Sequence, residues 1–289
     1  MKGIVLAAGA GTRLLLTTLS TSKPLLPIYD KAQIFYPISS LMLSGIRDII
    51  LITSAQDQNA YKKVLGTGAR FGVSFTYLVQ EVQRGIADAF LVTEEVITDK
   101  PVCLIPGDNF FKGLENTFSP EGYKSIRGAQ IFTYRVPDPE RFGVVEFSSD
   151  GKALSIEEKP TSPKSNFAIP GLYFYDDQVV EITRSLKPSS RGELEITDVN
   201  KSYLELSQLS VTELPRGTAW LDTGTFTSMH DAASYVRALE EREGIKLACL
   251  EEIAYKNGWI DLQELLASVD FYKSSPYGGY LRLIAKGAD

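Results

Sequence analysis

The feature that most constrains this chain is an apolar run that ends in glycine. Residues 2–8 read KGIVLAA, and GAGTR follows directly at 9–13. Similar runs recur as DIILIT (48–53), SFTYLVQ (74–80) and PVCLIPGDN (101–109). Helical patterns lie between them. Ile34, Ile38, Leu41 and Met42 share one face before Gly45, another helix falls near 57–65, and IADAFLVTEEVI (86–97) makes a third. Asp88 and Glu94–Glu95 are expected on the wetter side of that third helix. Strands alternating with helices predict an α/β fold whose mostly parallel sheet is covered on both faces.

After about residue 110 the pattern changes. Strand-like runs at 129–136, 142–147, 153–160 and 168–177 are separated by Asp, Pro, Gly and Ser. Helices are expected at about 176–186 and 193–206, with a late strand at 209–214. From Ser228 the chain reads helical, with Met229, Ala232, Ala233, Val236 and Leu239 in one stripe. Further helices are expected at 247–258 and 261–269. This divides the chain into a body, 1–227, and a helical appendix, 228–289. Within the body, a part with alternating strands and helices (about 1–110) precedes a strand-rich part (about 111–227). The apolar stripes of the appendix need cover, from the body or from another subunit.

Bulk properties exclude some partners. The net charge of -6 over 289 residues argues against a general nucleic-acid binder. No apolar run reaches the length of a membrane span, and the N-terminus reads as a first strand and not as a secretion signal. The two cysteines, Cys103 and Cys249, sit in apolar contexts and are expected to be buried thiols in a reducing cytoplasm.

The loop LAAGAGTRL admits several readings. A dinucleotide fold wants a third glycine where Leu14 stands, and an acid at the tip of the 48–53 strand, which runs instead into SAQD. A Walker loop needs a different glycine spacing. A plain strand–helix turn also accounts for Gly9 and Gly11. A loop wrapping a nucleoside triphosphate fits best: the glycines let backbone N–H groups approach oxygens, Arg13 forks onto phosphate, and Lys23 adds a second cation. Asp108 and Asp222 each end an apolar run, where an α/β sheet places ligands. Lys159 follows Glu157 and Glu158, with which it could equally form a salt bridge. No covalent nucleophile stands out, and His230, the one histidine, reads as structural or surface.

The ordered series LAAGAGTRL…SKPLLPIYDKA, YLVQEVQRGIADAF, IPGDNFF, RFGVVEF, SIEEKP, AIPGLYFYD, RGELEITDVNKSYLE, AWLDTGT and LACLEEIAYKNGWID…YGGYLRLI covers essentially the whole chain. It resembles the sugar-nucleotidyltransferases, and within them the bacterial glucose-1-phosphate thymidylyltransferases. The resemblance implies a Rossmann-like, GT-A-like three-layer sandwich with an inserted sugar-binding β region, its nucleotide-binding part at about 1–110 and its sugar-phosphate-binding part at about 111–227. It implies transfer of a thymidylyl group from dTTP to α-D-glucose 1-phosphate, with release of pyrophosphate, in a cytoplasmic homotetramer.

The resemblance also assigns residues. Asp108 and Asp222 would hold Mg²⁺, and Arg13 and Lys23 the triphosphate. Leu6, Ala8, Gly9, Gly11, Thr12, Gln80 and Gly85 would contact the nucleotide. The Gln80 amide offers a donor and an acceptor to thymine or uracil alike. Asn109, Gly143, Glu158, Lys159 and Tyr173 would hold the sugar phosphate. Arg216, Gly217, Glu251, Glu252 and Lys256 fall where relatives have a regulatory nucleotide site. The chain departs from the pattern at Pro24, where a glutamine is usual, at Leu14–Leu16, and at Lys112, Leu114 and Lys256 around the regulatory region. Pro24 keeps a UTP-using enzyme open as an alternative. A non-catalytic nucleotide-sugar sensor is the rival from another class.

Overall fold

The apolar runs of the first half pair side by side. In the computed structural model, which describes residues 1–114 and 126–287, strand Lys2–Ala7 lies between Asp48–Thr53 and Val102–Pro106. Ser74–Val79 adds outside Asp48–Thr53, and all these pairs are parallel. Ile4, Val5, Ile49–Ile52 and Val102–Ile105 are fully buried, as a sheet covered on both faces demands. The carboxyl ends of these strands, at Ala7, Thr53, Val79 and Pro106, therefore share one edge.

The remaining strands turn the sheet antiparallel. Tyr173–Tyr175 joins Val102–Pro106 to Ala129–Arg135, antiparallel to both. Phe167–Ala168, Gly143–Phe147 and Ala153–Glu158 continue antiparallel, and Leu209–Glu213 lies parallel to Ala129–Arg135. The result is a ten-stranded mixed sheet, parallel only in part.

Several local expectations change. The 86–97 pattern is not one helix but two short ones, Asp88–Val92 and Glu94–Ile97. Asp88 is not on a wet side: no part of it is exposed. The run 101–109 ends as a strand at Pro106, and Asn109–Lys112 starts a separate ribbon with Ala219–Asp222. The 168–177 run splits around Pro170 and Gly171 into Phe167–Ala168 and Tyr173–Tyr175. A last helix, Pro276–Ala285, is present where none was expected. Ser275 caps it by accepting from Gly278 N–H, and Pro276 opens it.

Helix Phe226–Glu243 begins with a capping box between Thr225 and Ser228. Its Ala232 and Val236 pack with Ile28, Tyr36 and Phe110. The three helices that follow bring Leu250, Ala254, Leu265, Val269 and Leu281 into the same core as Val5, Ile38 and Leu51. The body thus supplies much of the cover that these apolar stripes need. His230 is exposed on its helix. Cys103 and Cys249 are buried, and burial pushes both thiols up. Among the described residues no helix is long and apolar enough to cross a membrane.

One glycine ties the first half to the second. Gly85 has φ +101, and a Cβ there would lie 2.4 Å from Leu194 O. Beside it Leu194 N–H donates to Arg84 O at 2.6 Å and Ala87 N–H to Leu194 O at 3.2 Å. An alanine would be strained in φ and would clash with rigid backbone. Gly85→Ala should destabilise the chain by about 3 kcal/mol; the shift of the chemical-denaturation midpoint, at unchanged slope, measures it.

Candidate active site

The parallel strands deliver the glycine loop to the sheet edge. Gly11 takes a left-handed turn (φ 61), and Thr12–Leu14 follow as one short 3-10 turn. Thr18 Oγ1 donates to Gly11 O at 3.0 Å and closes the loop from its far side. Leu6, Gly9, Gly11, Thr12, Arg13 and Lys23 line a cavity of about 410 Å³ with Pro24 and Asp108. Ala8 does not line it. It is buried, and its carbonyl accepts from Gln83 Nε2 at 2.7 Å. Gln83 thereby pins the 80–86 loop onto the glycine loop. Gln80 and Gly85 do not line the cavity either, although Ile86 does. Gln80 sits at the end of its strand, where its N–H donates to Thr53 O at 3.0 Å, and Thr53 pairs with Ala7.

Two acids meet beside the loop through the ribbon. Asp222 stands in register with Asn109, next to Asp108. The Asp108 carbonyl accepts from Gln33 Nε2 at 2.9 Å and from Thr223 Oγ1 at 3.1 Å, which fixes the turn. Each acid faces a cation. Lys23 Nζ lies 2.6 Å from Asp108 Oδ2, and Arg141 Nη2 lies 2.5 Å from Asp222 Oδ2. Arg13 belongs to the same group: a Cβ on Gly224 would lie 2.9 Å from Arg13 Nη1 and 3.0 Å from Asp222 Oδ1. Among the described residues no cluster of three or more acids, histidines or cysteines could hold a metal by itself. Two partly exposed carboxylates are hard oxygen donors that suit Mg²⁺ only if a ligand completes the shell.

A second cavity, of about 690 Å³, continues from the first through Thr12, Arg13, Ile86, Pro106, Asp108 and Glu193. Asn109, Gly143, Glu158, Lys159, Tyr173 and Asp222 all line it. Glu158 accepts from Thr197 Oγ1 at 2.5 Å and lies 3.3 Å from Lys159 Nζ. That salt bridge is the alternative the sequence left open, and Lys159, with φ 43, still borders the cavity. Burial pushes the Tyr173 hydroxyl well above its ordinary range, so it stays neutral and able to donate.

Among the lining residues that the sequence reading did not single out are Arg141, Arg191 and Asn200. Arg141 pairs with Asp222, as above. Arg191 Nη2 reaches Glu195 at 2.8 Å, Glu193 at 3.3 Å and Glu158 at 3.5 Å. Asn200 is fully buried, accepts from Tyr175 at 2.5 Å, and has an Nδ2 with no partner among the described residues. The signal for Arg191 was present in SSRGELE, an arginine among acids just before a helix.

The residues expected at a regulatory site divide. Lys112, Glu252 and Lys256 line a third cavity, of about 310 Å³, with Lys246 and Ile253. Arg216 and Gly217 form a turn against Gly113 but do not line it. Leu114 is core. Glu251 faces inward: it is fully buried and accepts from Tyr272 at 2.8 Å and Tyr277 at 2.6 Å. Burial pushes its carboxyl up. It is a core residue and not a cavity contact.

Known proteins resemble this chain in sequence and fold. The family model described as nucleotidyl transferase matches residues 2–238. A glucose-1-phosphate thymidylyltransferase of Neisseria meningitidis is 51% identical over 99% of this chain and 100% of that protein. One of Mycobacterium tuberculosis is 50% identical over 97% of this chain and 98% of its own length. A Bacillus anthracis structure described as a glucose-1-phosphate thymidylyltransferase, in complex with sucrose, superposes with TM-score 0.76 at 40% identity, covering 82% of this chain and 95% of that one. A UDP-glucose pyrophosphorylase with UDP-glucose shares the fold, with TM-score 0.72 at 22% identity over 82% of this chain and 98% of that one.

Proposed function

The chain belongs to the nucleotidyl transferase family, and from that premise we propose that it is a glucose-1-phosphate thymidylyltransferase. It joins dTTP and α-D-glucose 1-phosphate to give dTDP-glucose and pyrophosphate. The observation that carries this reading is the continuity of the two cavities across Arg13 and Asp108. One holds a glycine loop with two cations, and the other a set of sugar-type hydrogen-bonding groups.

The chemistry follows from that placement. A phosphate oxygen of the sugar phosphate attacks the α-phosphorus of dTTP, the bond from that phosphorus to the β-phosphate bridging oxygen breaks, and pyrophosphate leaves. Backbone N–H groups around Gly9 and Gly11 and the Arg13 guanidinium hold the departing phosphates. Lys23, buried beside Asp108 in the wall of the first cavity, screens the repulsion between the two anions. Lys159 and Arg191 hold the sugar phosphate. Glu158, Asn109 and Tyr173 meet sugar hydroxyls, and Asn200 supplies a donor. Asp108 and Asp222 would hold Mg²⁺, which supplies charge neutralisation on the phosphates when bound.

Two coarser aspects belong to the same reading. The working unit is a homotetramer in the cytoplasm; exposed Leu262, Leu266 and Phe271 on helix Leu262–Tyr272 are apolar surface available for association. The third cavity, with Lys112, Lys246 and Lys256 at its wall, is a regulatory nucleotide site. Arg216 and Gly217 lie outside its wall.

Three outcomes test the reading. Pyrophosphate release with dTTP should exceed that with UTP; a UTP preference would make the chain a uridylyltransferase, and no release with any nucleotide and Mg²⁺ would favour a sensor. Asp108→Asn should lower kcat by about a hundredfold or more while circular dichroism stays unchanged. Arg191→Ala should raise KM for glucose 1-phosphate by about tenfold to a hundredfold with a much smaller change for dTTP; steady-state kinetics with each substrate varied separates the two.

A further inference from the structure

Asp88 is a fully buried acid that the chemistry above does not use. It opens helix Asp88–Val92 just behind the 80–86 loop. Its Oδ2 accepts from Gln80 Nε2 at 2.7 Å, and its Oδ1 accepts from Arg84 Nε at 3.1 Å, with Arg84 Nη2 at 2.9 Å. The Arg84 side chain is 56% exposed and closes the acid off on its outer side. An ionised carboxylate paired with arginine only accepts hydrogen bonds. The Gln80 amide therefore has one permitted orientation, Nε2 toward Asp88. Turning it over would set Oε1 against Oδ2, acceptor against acceptor in a buried site.

That orientation is a choice about the base. Thymine and uracil show the O4 acceptor beside the N3–H donor. Cytosine shows an N4 amino donor beside the bare N3 acceptor. An amide can match either edge, but in opposite orientations. As Asp88 holds it, Oε1 accepts from N3–H while the second Nε2 hydrogen donates to O4. Cytosine would need the amide turned over.

We propose that Asp88 is a positioning residue that locks Gln80 for a 4-oxo pyrimidine and against a 4-amino pyrimidine. The inference rests on the reading of Gln80 as a base contact. It sharpens the expectation that the amide offers its donor and acceptor freely: one N–H is committed to Asp88, and that commitment fixes which end is which. The lock does not separate thymine from uracil, which share this edge.

The test compares kcat/KM for dTTP and dCTP in three proteins. Wild type should favour dTTP strongly. In Asp88→Asn, Arg84 can only donate, so the new amide keeps its oxygen toward Arg84 and turns its nitrogen to Gln80, which flips. The dCTP-to-dTTP ratio should rise by about tenfold to a hundredfold. A ratio taken on one enzyme is insensitive to a general loss of stability. Gln80→Ala should level the two nucleotides. If Gln80→Ala levels them and Asp88→Asn does not move the ratio, the lock is overturned while the base-contact reading stands. If Gln80→Ala leaves the ratio unchanged, the base-contact reading itself fails. Should Asp88→Asn not fold, Asp88→Ser replaces it, since a hydroxyl both donates and accepts and should level the ratio. Failure of both to fold would make Asp88 a core residue only and overturn the proposal.

Discussion

Two carboxylates of like charge are held together at the edge of the sheet, and much of the site follows from that. Asp108 comes from the end of a buried parallel strand, and Asp222 from a ribbon partner more than a hundred residues later. Like charges this near repel, so each needs a cation. Lys23 and Arg141 supply them. The cations come from two different regions: one follows the glycine loop, the other precedes the Gly143–Phe147 strand. Bringing the acids together therefore also joins the cavity of the glycine loop to the cavity of the antiparallel strands. If the two acids hold Mg²⁺ as proposed, the ion would supply part of that neutralisation.

The parts that were legible in the sequence are those whose signal is local. Buried parallel strands are apolar over their full length, so the four runs of the first half could be read directly. A glycine loop after a strand, an acid at a strand end and a lysine after a strand are also local patterns, and Arg13, Lys23, Asp108 and Lys159 all border the joined cavities. What was not legible depends on distant partners. The Asn109–Lys112 strand exists because Ala219–Asp222 pairs with it. Asp88 reads as a surface acid by helical periodicity, and only Gln80 and Arg84 explain its burial. Glu251 sits beside Glu252 in the sequence, yet successive helical residues point about 100° apart, and one faces the core while the other faces a cavity. The last helix carries two adjacent glycines, which lower helix propensity, and it forms because its cap and its apolar face outweigh them.

The C-terminal helices are continuous with the body in their packing. Leu250, Leu265 and Leu281 share a core with residues of the first strand and its covering helix. The third cavity lies at that junction, between the ribbon that carries Asp108 toward Asp222 and the segment around Lys246. Lys246 also reaches Asp30 and Glu240 at 2.6 Å each, and Glu240 accepts from Lys31 at 3.0 Å. Charge placed in that cavity would act on a buried ion network and on the far end of the ribbon that positions the two acids. That contiguity is a physical route between the cavities.

The site sorts its tasks by the physics each requires. In the proposed reaction, phosphates would be held by charge and by backbone N–H groups, which recognise any nucleoside triphosphate equally. The sugar side would be held by hydrogen bonds from side chains whose own partners fix them, as Thr197 fixes Glu158 and Tyr175 fixes Asn200. Neither feature distinguishes one base from another. That distinction has to come from the polarity of a single amide, and an amide is nearly symmetric in shape. Its two ends can be told apart only by a neighbour that accepts and never donates. A buried carboxylate is such a neighbour, and Arg84, which can only donate, takes the other oxygen of Asp88. Pro24, which offers no N–H, lines the phosphate cavity from below the loop. It lines that cavity alone, and under the proposal the choice of base would fall to the Gln80–Asp88 pair.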